Sequence, residues 1–478
     1  MKRLLSIDIG STWTKAALFG LEDIPSVLGT SQVPTTQDDL SRGVAAAACA
    51  LLGLASDTSI TRIGAELPVH VCSSAKGGLS IAAIGIVPDL TVSVARLVAS
   101  SAGGRIAAHT AYKITDRQLA VIEAMKPDIV LLCGGTDGGN ETYVLHNARA
   151  LAGMRGAAAV VYAGNATLEA EVLRILSGRP LQVVRNVMPE VGVLDIEPAR
   201  AAIRSIFLQR IVEGKGLEAV RAACAGDIRP TPLAVYELLE AIAASGDAAA
   251  GGPPSLLLID MGGATTDVYS LCPAFSPDEG TVLRGIEPPS LMRTVEGDLG
   301  LRVGAASAAE TGHAYVEARL QKEGASAEAF AAWVQSAREH TAVLPGNDAE
   351  RLFDDILAEA CLFHALCRHA GTAEEVWTPG GKVRIQRGKD LRGVTLIAAS
   401  GGWLARRGSD APLKRALSAA QRDTGAMRLL PVSPRVAADT RYLLPLLGNI
   451  AAAHRKEAAL LASECVGGLM TAGEMHAR

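Results

Sequence analysis

Short apolar runs recur along the chain, and most of them close on Asp, Gly, Ser or Thr. Leu4 to Ile9 predicts a strand, the turn Gly10-Ser11-Thr12 follows, and Lys15 to Phe19 predicts its antiparallel partner. An Ala/Leu run around Val44 to Leu54 predicts a helix, and Pro68 to Cys72 another strand of the same sheet. Strand and helix patterns then alternate. Leu90 to Ser101 reads as helix, Asp116 to Ala124 helix, Asp128 to Cys133 buried strand, Thr142 to Leu151 helix, Ala157 to Tyr162 strand, Ala166 to Leu176 helix and Leu181 to Arg185 strand. That order predicts βαβ units and a parallel sheet. The Ala/Gly/Pro stretch Gly246 to Pro254 reads as a linker. A second strand-turn-strand run, Leu256 to Asp267, opens the other half. Ala305 to Arg368 is largely of helical period, strand character resumes near Val394, and an apolar helix, Tyr442 to Cys465, closes the chain. The organisation expected is a first domain at 1–250, a second at 251–440 and a C-terminal helix at 441–478 packing back on the first.

Composition narrows the class. The 478 residues are 49% hydrophobic, enough for two or three domain cores. With 46 basic and 50 acidic residues the net charge is -4, which gives no general pull toward nucleic acid or anionic lipid. Met1-Lys2-Arg3-Leu4-Leu5 resembles the start of a signal peptide, but Asp8 interrupts the apolar stretch. No uncharged run approaches a bilayer span, so no membrane segment is expected. Eight cysteines in a chain of this length form no dense framework, and a cytoplasmic location is expected.

The two hairpins carry the chemistry. Each is an apolar strand ending in Asp (Asp8, Asp260), a turn of Gly and hydroxyl residues, and a second apolar stretch. Glycine lets the backbone approach an oxyanion, successive N–H groups form an anion-binding nest, and Ser/Thr hydroxyls add donors. Gly10, Ser11 and Thr12 on one side and Gly262, Gly263, Thr265 and Thr266 on the other are the phosphate-binding candidates. Asp8 and Asp260 are placed to hold a hydrated Mg²⁺, which takes only one or two carboxylates. Lys15 either neutralises phosphate charge or stands solvated at the strand surface. Asp267 either orients an attacking water, joins the metal's outer shell or caps the hairpin.

The spacing of these runs resembles the two phosphate loops of the actin, sugar kinase and Hsp70 superfamily, in which two ribonuclease-H-like domains close on ATP and Mg²⁺. That likeness implies an α/β fold with an interdomain nucleotide cleft. Val394 to Gly402 is similar to the superfamily's adenosine loop, with Gly401 and Gly402 against the nucleoside and Ala399-Ser400 where Gly-Thr is usual. Further segments are more specific: Cys72 to Leu79, Gly85 to Thr91, Cys133 to Asn140, Asn186 to Glu190, Thr294 to Gly300 and Gly388 to Leu391. In that order they resemble the MutL/GlmL family, accessory proteins encoded with adenosylcobalamin-dependent glutamate mutase and related aminomutases, and unrelated to the mismatch-repair protein called MutL. The resemblance spans Lys2 to about His454. It implies a chaperone-like ATPase acting on an adenosylcobalamin-dependent mutase, with Asp8, Asp260 and Asp267 in the catalytic and metal roles. The alternative is a small-molecule kinase using the same ATP site, but no sugar-kinase substrate signature occurs.

Other candidates divide between ligand and structure. Gly134 to Asn140 is either a second ligand or partner site beyond a parallel strand or a tight turn leading to an Asn140 cap. Ser73, Ser74, Gly77 and Gly78 form a polar turn with no base assignable for a nucleophile. Cys361, His364, Cys367 and His369 share a helix but fan over different faces, so they do not converge on zinc.

Overall fold

The computed structural model describes residues 2–36, 38–74, 79–212, 216–245, 255–272, 280–379, 381–423 and 427–465. The expected linker at 246–254 and the glycines at 77 and 78 lie outside them.

Strands β1 (Arg3–Ile9), β2 (Trp13–Gly20) and β3 (Ser26–Pro34) form an antiparallel meander. β4 (Val69–Ser73) pairs parallel to β1. Five strands, β5 (Ser80–Ile84), β6 (Arg105–Thr110), β7 (Ile129–Leu132), β8 (Ala159–Tyr162) and β9 (Leu181–Val183), then build a separate parallel sheet in the order β6-β5-β7-β8-β9. The chain returns through β10 (Arg229–Pro230), which pairs parallel to β4 and completes the order β10-β4-β1-β2-β3.

The second half repeats this plan. β11 (Leu256–Met261) and β12 (Thr266–Leu271) form its hairpin. β13 (Thr281–Arg284) leaves the sheet, and β14 (Leu291–Glu296) pairs with β12. β15 (Thr372–Thr378) and β16 (Gly381–Arg387) make an outlying hairpin, to which β13 adds in parallel. β17 (Leu396–Ser400) joins β11 in parallel, β18 (Met427–Arg428) extends the outlying sheet, and β19 (Arg435–Ala438) completes β14-β12-β11-β17-β19. Both halves therefore have three antiparallel strands followed by two parallel ones, the ribonuclease-H-like order, and the fold is the two-domain α/β architecture.

Helices Thr231–Ser245 and Leu443–Ala451 each follow the last strand of one sheet. Their apolar residues share one core with Leu4 and Phe19 of the first sheet and with Leu256, Tyr269 and Leu396 of the second. Burying that many large side chains, at about 25 cal/mol per Å² of apolar surface, makes this helix pair the joint between the halves. The helices approach closely at Gly448, where a Cβ would lie 2.4 Å from Ala234 O. Polar bonds bolt the second helix to β1. Asn449 Nδ2 donates to Ser6 Oγ and Ile7 O, and Ser6 Oγ donates to Leu446 O.

Two expected helices are subdivided. Leu90 to Ser101 begins as a π turn over Pro88–Val92 before Ser93–Ser101 turns α-helical, because Thr91 Oγ1 accepts from both Ile86 N and Val87 N. Tyr442 to Cys465 is two helices, since the amides of Ala453 and His454 both return to Ile450 O before Arg455–Cys465 begins. No helix among the described residues is long and apolar enough to cross a membrane.

Candidate active site

The two hairpins turn alike. Gly10 N donates to Trp13 O at 3.1 Å, and Gly262 N donates to Thr265 O at 2.8 Å. In each, the strand-end Asp faces one residue across the ladder: Asp8 opposes Lys15, and Asp260 opposes Asp267. Directly opposed residues point to one side of a sheet, so the first hairpin carries an acid-base pair and the second two acids. The difference decides how the wall of each half behaves.

A cavity of about 340 Å³ lies between the turns. Gly10, Ser11, Thr12 and Lys15 line it from the first half, and Asp260, Gly262, Gly263, Thr265, Asp267, Gly401 and Gly402 from the second. The turns nearly touch, since a Cβ on Gly263 would lie 3.4 Å from Thr12 Cγ2. Gly401, at φ +128, can be only glycine without strain, and a Cβ there would strike Met261 O at 2.2 Å. Gly402 leaves room for Lys15, whose Nζ lies 3.7 Å from where a Cβ would stand. Thr266 does not line the cavity. It is buried, and its hydroxyl donates to Leu299 O.

Asp8 also stands apart from the cavity lining. It is fully buried, with Oδ1 accepting from Thr231 Oγ1 at 2.6 Å and Cys72 Sγ at 3.2 Å, and Oδ2 accepting from Tyr442 OH at 3.0 Å. Lys15 is buried as well, its Nζ 3.1 Å from the centroid of the Tyr442 ring. Burial lowers its pKa, and the nearby Asp8 and Asp260 carboxylates pull it back up. The solvated alternative for Lys15 is not what the fold provides.

Asp260 stands between opposed charges, those of Lys15 and Asp267. Burial foremost, and then the Asp267 charge, push its pKa up to about 7, while Lys15 draws it down. Asp267 is held differently. Its Oδ1 accepts from Arg293 Nε at 2.8 Å and from Arg293 Nη2, and its Oδ2 accepts from Thr265 Oγ1 at 3.3 Å. Arg293, itself buried, donates through Nη1 to Ser100 O and Gly104 O of the first half. Asp267 is thus an ion-paired wall of the cavity and not a hairpin cap.

Sequence reasoning missed Arg293, which directly precedes the Thr294 to Gly300 motif on β14, and Thr231 and Tyr442, whose segments carry no motif. It also missed two contacts on the far side of the cleft. Arg406 stacks over Trp13 with 4.4 Å between guanidinium carbon and ring centroid, reaching from one half to the other. Arg302 makes a bidentate pair with Asp354, at 2.8 and 2.9 Å. The motif Thr294 to Gly300 serves the second turn, since Gly300 packs where any Cβ would strike Ala264 at 2.4 Å, and Leu301 N and Arg302 N donate to Gly262 O and Gly263 O. Ser400, the departure before the paired glycines, donates its hydroxyl to Asp439 Oδ2 at 3.0 Å.

Of the remaining candidates, Ser74 lines the cavity, and others are bonded within the fold. In the Gly134 to Asn140 loop, Asn165 Oδ1 accepts from Gly138 N, Asn186 Nδ2 donates to Gly135 O and Asp137 Oδ1, and Asn140 Oδ1 accepts from Tyr143 N. Cys361 and Cys367 sit in the second core, while His369 is bonded to Thr294 and Ser270 by its two ring nitrogens. Lys389, of the Gly388 to Leu391 motif, donates to Pro289 O and Ser290 O.

Comparison with known proteins adds the following. The family described as MutL protein matches residues 4–466. Protein MutL of Clostridium tetanomorphum is 35% identical over 454 residues, covering 94% of this chain and 96% of its own. Among solved structures, a ROK family glucokinase from Streptomyces griseus in complex with glucose and AMPPNP covers 95% of this chain and 99% of its own at 11% identity and TM-score 0.34. A glycerol dehydratase reactivase covers 94% and 100% at 11% identity and TM-score 0.33.

Proposed function

The chain belongs to the MutL protein family, and on that premise we propose that it is an ATP-binding accessory protein that acts on an adenosylcobalamin-dependent mutase, of the glutamate mutase kind, as a slow ATPase. The observation that carries the nucleotide part is the pairing of two hairpin turns around one cavity, with Lys15 on one wall and the carboxylates Asp260 and Asp267 on the other.

The chain's own residues divide the work. The turn amides and the hydroxyls of Ser11, Thr12 and Thr265 offer donors to phosphate oxygens, and the Lys15 ammonium offsets their charge. Gly401 and Gly402 let the nucleoside lie against bare backbone. Asp260, which lines the cavity, is the carboxylate that would hold Mg²⁺. Mg²⁺ keeps most of its waters and shares phosphate oxygens, so one or two carboxylates would suffice to hold it. When bound, the ion would neutralise phosphate charge. Asp8 acts one layer back, as the fixed counter-charge of Lys15. Asp267, oriented by Arg293, is placed to align a water for attack, a task that needs positioning more than strong basicity.

Hydrolysis then serves a partner. Because the turns belong to different halves, a phosphate contacted by both would draw them together, and its loss would remove that pull. A difference of about 1–3 kcal/mol in partner binding is enough for such a switch. The test has two arms. Calorimetry should show Mg-ATP binding that Asp260→Ala weakens at least tenfold, and a pull-down from cell extract should retain a mutase subunit in a nucleotide-dependent way. Unchanged Mg-ATP binding in the variant overturns the site. Rapid, saturable phosphorylation of a small metabolite would move the protein to the kinase class instead.

A further inference from the structure

Tyr442 stands where three parts of the molecule meet. Its side chain lines the cavity while being 8% exposed, and it lies in the core that joins the two halves. Its backbone has φ +55, a left-handed conformation in which a residue with a Cβ is strained. The surroundings impose it. Asp439 accepts from Leu443 N and Leu444 N, both at 2.8 Å, and fixes the start of the helix that Tyr442 precedes. Asp439 also accepts from Ser400, the residue before Gly401. The far side of that helix is bolted to β1 through Asn449 and Ser6.

From this fixed point the side chain reaches the facing pair of the first hairpin in two ways. The hydroxyl donates to Asp8 Oδ2, and the ring lies under Lys15 Nζ. Thr231 and Cys72 occupy the other oxygen of Asp8, so the carboxylate is held as a rigid counter-charge. A buried ammonium on a four-carbon stem has many rotamers open to it. Here the ring lies against the ammonium and the bare backbone of Gly402 stands beside it, and Lys15 lines the cavity.

Building on the nucleotide-cleft reading above, we propose that Tyr442 is a positioning residue. It sets Lys15 against the phosphates of the nucleotide, and through Asp439 and Ser400 it links the phosphate end of the cleft to the paired-glycine end. The side chain touches no reacting atom and works only through Lys15 and Asp8. Its loss should therefore cost affinity in proportion to the phosphates present, and little affinity for adenosine.

The experiment is calorimetric titration of ATP, ADP and adenosine, with Mg²⁺, into wild type, Tyr442→Phe, Tyr442→Leu, Lys15→Met and the Tyr442→Leu/Lys15→Met double variant. Amine-selective acylation of Lys15, read by mass spectrometry, is run without nucleotide. Tyr442→Leu should weaken ATP at least tenfold and adenosine less than twofold. The double variant should be no weaker than Lys15→Met alone, and acylation of Lys15 should rise several-fold in Tyr442→Leu. Tyr442→Phe keeps the ring and should fall between Tyr442→Leu and wild type, which keeps the test open should the leucine variant fail to fold. An unchanged ATP-to-adenosine ratio in Tyr442→Leu or, if that variant does not fold, in Tyr442→Phe overturns the inference, as do additive losses in the double variant. Absence of ATP binding by the wild-type chain overturns the nucleotide reading itself, a different result.

Discussion

Gly448→Ala sets two effects of known size against each other. In a helix interior, alanine is favoured over glycine by about 1 kcal/mol. At most exposed sites that gain would decide the outcome. At Gly448, however, the new Cβ would stand 2.4 Å from Ala234 O, 2.5 Å from Ala234 C and 3.0 Å from Val235 N. The closest approach is 1.0 Å short of the 3.4 Å at which ordinary contact begins, and every obstructing atom is backbone that cannot rotate aside. Helices Thr231–Ser245 and Leu443–Ala451 must therefore separate. Overpacking of this kind costs about 1–3 kcal/mol, so the net effect is a destabilisation of about 1 kcal/mol, reaching 2 where the joint yields least. Thr231 and Tyr442, which hold Asp8 from the starts of those helices, would be displaced as well, so Mg-ATP binding should weaken along with stability. Urea unfolding of wild type, Gly448→Ala and Gly448→Val measures the first effect, and calorimetry the second. A Gly448→Ala protein more stable than wild type would show that propensity wins and that the helices are not packed to contact here.

Two further predictions concern acid and nucleotide state. His369 is buried between Thr294 and Ser270, and its pKa is lowered to about 3, chiefly by burial. The unfolded imidazole, near 6.5, takes up a proton first, so this stabilisation is complete above pH 6.5 and is lost as pH falls toward 3. Between pH 6.5, where half the unfolded imidazole is already protonated, and pH 5, wild type should lose about 1.6 kcal/mol more than His369→Gln, read from urea midpoints; parallel pH profiles would refute the assignment. Thr12→Ala and Thr265→Ala should narrow the difference between ATP and ADP more than they weaken binding itself. Small-angle scattering of wild type should then distinguish ADP from a non-hydrolysable ATP analogue, and identical profiles with binding confirmed would sink the switch.

What the sequence made legible was the part carried by local pattern. Asp8 and Asp260 at strand ends, the glycine turns behind them and the paired Gly401-Gly402 can be found because strand, turn and chemistry lie within a dozen residues. The pairing of β10 with β4 could not be found that way, since β10 is two residues long and its place depends on a partner far along the chain. The hairpin β15–β16 escaped although Val383 and Ile385 alternate with Lys382, Arg384 and Gln386, because that alternation is short and β15, mostly exposed, adds no apolar face to it. At the site, Lys15 reads as an ordinary strand lysine until Tyr442, brought from the last helices, is seen beneath it. The same holds for Arg293, an arginine on a strand with nothing beside it in sequence to announce Asp267. Tertiary partners decide what such charges do, and they leave no local trace.

Arg293 has a mechanical consequence. Its guanidinium rides on β14, beside the strand that carries Asp267, so arginine and aspartate travel as one body with the second sheet. The carbonyls of Ser100 and Gly104 travel instead with the parallel sheet, whose core is continuous with that of the first half. Any motion that spreads the hairpins apart by swinging these bodies must draw one fork of the arginine out of the end of helix Ser93–Ser101, leaving two carbonyls and half a cation to find water. Hydrogen bonds to a charged group are each worth about 1.5–3 kcal/mol, so the protein carries a catch that resists opening with an empty cleft as much as with a full one. Whatever prises the halves apart must first release that catch.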